Sequence, residues 1–207
     1  MKQLKTHLFL FCILLFFINF SLTAQNKIQD SIFRRHFIGS SLFVLANFFP
    51  DPPSFYQLNY GYRFTPQHAI IIEAITWTYN APLGIPYGPS YESTDEFYPG
   101  LVRGYGLGLA YQRYLCKNFY STVHATPLHQ NYMDAENKKI QSGFQLFLTL
   151  RFGYHLKLFK NRFFFEPSVA FTYWPINTNL PESFSKVENK WPNYFLFEPG
   201  LHFGIKF

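Results

Sequence analysis

Five ionisable residues of this 207-residue chain recur on the polar side of apolar alternations: Arg63, Arg151, Glu166, Glu198 and His202. Glu73 joins them if the segment after Pro66 turns that way. Two of the carboxylates stand in the same local word, Phe165-Glu166-Pro167-Ser168-Val169 and Phe197-Glu198-Pro199-Gly200-Leu201. If the turn at Phe159 to Asn161 is tight, Glu166 faces the strand near Gly153, one inward step from Arg151. That predicts a Glu166/Glu198/Arg151 cluster with His202 at similar depth. Two carboxylates sharing one site can divide into acid and base or gate a passage; with an arginine between them they can also neutralise one another as a plug. The prolines remove ladder donors, which predicts bulges or bends that shape the strands bearing both glutamates. His36, His68, His129, His155 and His202 lack the paired spacing of metal ligands, so no metal or other cofactor is expected.

These residues are positioned by strands. Side chains of a strand alternate between faces with period two. Tyr56, Leu58, Tyr60, Tyr62 and Phe64 interleave with Gln57, Asn59, Gly61 and Arg63. From Phe144 to Leu158 the even positions are apolar, while Gln145, Thr149, Arg151, Gly153, His155 and Lys157 hold the other face. Phe163, Phe165, Val169, Phe171 and Tyr173 oppose Phe164, Glu166, Ser168, Ala170 and Thr172. In the last segment Phe195, Phe197, Leu201, Phe203, Ile205 and Phe207 oppose Glu198, Gly200, His202, Gly204 and Lys206. Weaker patterns cover about 36–48, 67–79, 101–115 and 118–127. In the third of these, Gly104, Gly106, Gly108 and Ala110 share one face, as the crowded inside of a narrow barrel requires.

Eight strands result, with short links near Pro66, at 116–118 and at 159–161, and long links at 49–54, 80–100, 128–141 and 175–192. Aromatic residues make up 22% of the chain and charged ones only 14%, which excludes disorder and favours strands. A mean hydropathy of −0.07 and no long apolar run after the N-terminus exclude a helical membrane bundle. Lys2, Lys5, the apolar run Leu8–Phe20 and Ala24 read as a secretory signal cut after Ala24. Losing Lys2 and Lys5 takes the net charge from +6 to +4, too modest and too scattered for a nucleic-acid partner. Cys116 is then the sole cysteine, so no internal disulfide is expected.

The signal, the eight alternating segments, the long–short rhythm of links and the closing Phe207 together resemble the small OmpX- and OmpA-type outer-membrane β-barrels. That resemblance covers the whole mature chain and is architectural. It implies an all-β protein: an eight-stranded antiparallel transmembrane up-and-down barrel over 36–207, preceded by a signal peptide (1–24) and a periplasmic segment (25–35). The implied location is the bacterial outer membrane, with termini and short turns inside and long loops outside. Implied partners are outer-membrane lipids, including lipopolysaccharide, and an extracellular or envelope protein held by the loops. Tyr87, Tyr91, Tyr98 and Trp191 are the candidate loop contacts. Arg113, Lys117, Lys160 and Arg162 are placed at lipid phosphates near the turns.

His124-Ala125-Thr126 resembles the His and Ser of outer-membrane lipid A deacylases, with Thr126 in the Ser position and His124 turned inward rather than toward lipid. The leading expectation is a non-enzymatic barrel. A lipid-modifying hydrolase or acyltransferase, a narrow channel gated by the Glu/Arg cluster, and a secreted soluble binding protein are its rivals.

Overall fold

A computed structural model describes residues 33–49, 52–80, 100–134, 136–189 and 192–207. The chain is all-β. Its strands are β1 (His36–Ser41), β2 (Tyr56–Arg63), β3 (His68–Asn80), β4 (Leu101–Cys116), β5 (Phe119–Met133), β6 (Lys139–Tyr154), β7 (Leu156–Leu158), β8 (Phe163–Asn177) and β9 (Tyr194–Lys206). A 3-10 helix, Leu42–Phe48, follows β1, and a short α-helix, α1 (Glu182–Glu188), precedes β9. From β1 to β6 each strand pairs antiparallel with the next, β6 and β7 both pair with β8, β8 pairs with β9, and β9 pairs with β1, which closes the sheet into a ring.

β6 and β7 are one strand in two pieces. Gly153 pairs with Ser168 and Leu156 with Phe165 in the same register. Pro167 lies between those partners and has no N–H, so the ladder lapses there without slipping. Eight strand directions therefore form the wall, the number the alternation implies.

The faces follow parity. Glu73, Gln112, Thr122, Thr126, Gln130, Gln145, Thr149 and Glu166 are buried inside the ring. Leu107, Leu109 and Ile72 look outward and are 70%, 60% and 55% exposed. The segment after Pro66 resolves with Ala69, Ile71 and Glu73 inward and Ile70 and Ile72 outward. A Cβ on Gly61 would overlap the Phe37 ring, which explains why a small residue stands there.

Four readings of the strands change. β1 ends at Ser41, not near residue 48, because the side chain of Ser41 accepts the N–H of Phe43 and starts the 3-10 helix. The long link expected at 128–141 is a short connection between Met133 and Lys139. Pro127 does not end β5; it sits at an exposed position opposite Leu146, and only its pairing to β4 is skipped. Phe195 points inward rather than sharing a face with Leu201, because a bulge sets Thr172 against Phe195 and Ala170 against Glu198. The turn after β7 is longer than the expected 159–161: Leu158 pairs with Phe163, and Phe159, Lys160 and Asn161 all have positive φ. Arg34 Nη1 donates to the Lys160 carbonyl at 3.2 Å and Lys206 Nζ to Asn161 Oδ1 at 2.6 Å, holding this left-handed stretch in place.

Candidate functional site

The interior is stacked in three tiers. At the turn end, Phe37 packs edge-on to Phe164, and the Arg63 guanidinium lies 5.1 Å from the Tyr114 ring and 5.0 Å from that of Phe33. Arg63 also donates to the Pro66 carbonyl at 2.6 Å, so it serves the turn and stands apart from the carboxylates it was grouped with. At the loop end, Tyr79, Val102, Tyr132, Trp174 and Phe184 form an apolar cluster, joined by Trp77, Phe147 and Phe195. Phe184 comes from α1, so that helix caps the ring from above.

The middle tier holds the charges in three groups. Glu73 receives the Gln57 amide on one oxygen and the Thr126 hydroxyl, at 3.0 Å, on the other. His124 Nε2 lies 3.2 Å from Thr126 Oγ1 and 3.4 Å from Glu73 Oε1. Gly108 makes room: any Cβ there would run into all three side chains. Sequence parity could have found this group once Glu73 was known to face inward, because His124 and Thr126 share a face and the glycine stripe of β4 lies between the strands.

Glu166 accepts from His155 Nδ1 at 2.5 Å and from Gln112 Nε2 at 3.3 Å, and His202 is its Cα partner across β8 and β9. The His155 ring stacks on Phe164. Glu198 instead takes Arg151 Nη2 at 3.0 Å, while Arg151 Nη1 reaches Ser168 Oγ at 3.0 Å. The expected single Glu166/Glu198/Arg151 cluster is thus two separate pairs. The longer turn after β7 shifts the β6–β8 register so that Arg151 pairs with Ala170 and not one step from Glu166. A carboxylate dyad sharing one proton needs the two groups in contact, and here each has its own cation or donor. Tyr87, Tyr91, Tyr98 and Trp191 lie outside the described residues.

The geometry at His124 does not suit nucleophilic catalysis. A histidine that activates a hydroxyl must take its proton on one ring nitrogen while the other is held by a carboxylate. Here a single nitrogen, Nε2, faces both Thr126 and Glu73, and the Thr126 proton goes to the carboxylate. The arrangement does what a buried polar network does: it satisfies Glu73 in an interior where an unpaired charge is costly. Among the described residues no three His, Cys, Asp or Glu side chains are spaced to hold a metal ion.

No known family model matches the chain, and no curated protein is significantly similar to it.

Proposed function

We propose that this chain is an integral outer-membrane β-barrel, non-enzymatic, that anchors its long connections at the cell surface for contact with an envelope or extracellular partner. The observation that carries this reading is the inverted polarity of the ring. Carboxylates, glutamines and threonines fill its inside, while leucines, isoleucines and phenylalanines cover its outside. In water that outer wall would be a contiguous apolar surface far beyond what soluble monomers expose; in a bilayer it is the lipid face. Strands of 13 to 16 residues, such as β3, β4 and β6, exceed the tilted span a membrane needs, which is about 10 residues. Exposed aromatics gather toward the two rims, with Tyr60, Tyr62, Phe119 and Phe163 near the turns and Tyr56, Tyr105, Phe144 and Tyr194 near the loops. That is the placement of interfacial girdles.

A scaffold suits the interior better than a channel does. The apolar cluster under α1 and the hydrogen-bonded polar groups of the middle tier, with the Arg151–Glu198 ion pair among them, occupy the interior at successive depths. Planar bilayers containing the protein should show no stepwise conductance, and neither should the Glu166→Gln variant; discrete currents would overturn the scaffold reading. The membrane reading is tested by electrophoresis in detergent. The folded protein should insert into vesicles and migrate differently before and after boiling. Recovery as a monodisperse soluble monomer without detergent would contradict it.

A further inference from the structure

The wall of the ring is closed on the turn side of one seam and open on the other. β1 pairs with β2 only over His36–Gly39 and with β9 only over Phe37–Ser41. Beyond Ser41, no strand among the described residues lies between Tyr56 to Leu58 of β2 and Tyr194 to Leu201 of β9. Two serines make the stop. Ser40 Oγ donates to the Gln57 carbonyl at 2.6 Å, and Ser41 Oγ reaches the Leu201 carbonyl at 3.5 Å, so each caps one lip of the seam. Phe207 exchanges backbone hydrogen bonds with His36, and main-chain direction alternates along a strand, so Pro199 aims its nitrogen at the gap. A proline at that position leaves no donor stranded and denies an incoming strand one of its hydrogen bonds.

Among the described residues only the 3-10 helix crosses the seam; it runs alongside β9 and buries none of its residues. It is tied to the β2 lip, where Asn47 both donates to and accepts from the Phe55 backbone, at 2.7 and 2.9 Å. Immediately behind the seam sits the Arg151–Glu198 pair. The guanidinium lies over Gly200, where any Cβ would displace it, and the Glu198 side chain is 37% exposed while that of Glu73 is 3%. Outside the seam, Leu196 and Phe197 are exposed, as are Leu45 and Phe48 of the helix. An apolar groove of about 740 Å³ starts at Val44 on that helix and runs over Tyr56, Leu58, Tyr105 and Leu107.

From this arrangement we infer that the seam is a lateral binding site for a glycerophospholipid with a phosphoethanolamine headgroup. The ammonium meets Glu198, the phosphate meets Arg151, and the acyl chains lie in the groove and against Phe197. A zwitterionic site selects a zwitterionic headgroup, because a purely anionic one would face the Glu198 carboxylate unpaired. Strand edges in hydrocarbon also need polar partners, and a headgroup in the seam supplies them.

The inference rests on the membrane reading, and one experiment separates the two. The full chain is inserted into vesicles of equal phosphatidylethanolamine and phosphatidylglycerol, folding is checked by heat-modifiable migration, and retained lipid is counted by native mass spectrometry. Failure to insert overturns the membrane reading and is seen before any lipid is counted. With insertion, wild type should retain phosphatidylethanolamine over phosphatidylglycerol by roughly tenfold, the worth of one charge-assisted hydrogen bond. In Glu198→Gln the ratio should fall to that of the vesicle or below it. Gly200→Ala, which displaces Arg151 and leaves the Glu198 carboxylate in place, should cut the number of retained lipids severalfold and decides the matter if Glu198→Gln does not fold. Retention at the vesicle's own ratio in wild type, a wild-type preference for phosphatidylglycerol, a preference unchanged in folded Glu198→Gln, or undiminished retention in folded Gly200→Ala would overturn the site.

Discussion

Glu73 and Glu198 face the same interior from two strands, yet they live in different environments. β3 is paired along both edges, with β2 from Tyr56 to Arg63 and with β4 from His68 to Asn80. Its glutamate is sealed in and draws contacts from Gln57, Thr126 and His124. β9 above Leu201 is paired on one side only, and its glutamate keeps one ionic partner, Arg151, and substantial exposure. The residue type is constant and the wall is the variable. A carboxylate behind a complete ladder is structural, because its removal strands donors that no solvent reaches. One behind an open edge costs the fold little and remains available to a ligand.

Substitutions can break that contrast. The largest effect is expected for Glu73→Ala, which leaves the Gln57 amide and the Thr126 and His124 groups without their acceptor. Urea unfolding from vesicles should show a loss of about 3 kcal/mol or more; a loss below about 1 kcal/mol would place Glu73 with Glu198. Thr126→Val removes one donor of the same network and keeps the shape, so a loss of about 1–2 kcal/mol is expected in the same assay. Glu198→Gln should be mildest, under about 1 kcal/mol, since its pair is more than a third exposed on the glutamate side. If the last two exchanged rank, the open edge would not be what separates the sites.

The same contrast explains what could be read from sequence. The faces of β2, β6 and β8 were legible because their alternation runs unbroken and a sheet with one apolar side admits one register of side chains. Arg151 and Glu198 were legible as inward charges for that reason. Their separation from Glu166 was not, because it depends on the length of one turn. Three consecutive left-handed residues at Phe159 to Asn161 carry no glycine to announce them. Phe195 was misplaced for a related reason: the bulge beside Glu198 adds a residue without changing the apolar pattern. The end of β1 was hidden too. Leu42 to Phe49 is apolar enough to continue a strand, and the hydroxyls of Ser40 and Ser41 stop it, through bonds to strands distant in sequence and through the Phe43 N–H that Ser41 accepts. Local pattern sets which way a side chain faces; long-range hydrogen bonds set where the wall ends.

The central claim is that the apolar face of the ring meets hydrocarbon. Single nitroxide labels at Leu107 on β4 and Phe171 on β8, in protein inserted into vesicles, test it through relaxation by oxygen, which concentrates in the bilayer, and by a water-soluble nickel chelate. The account predicts strong relaxation by oxygen and almost none by nickel at both positions; ready access of the nickel chelate to either label would contradict it.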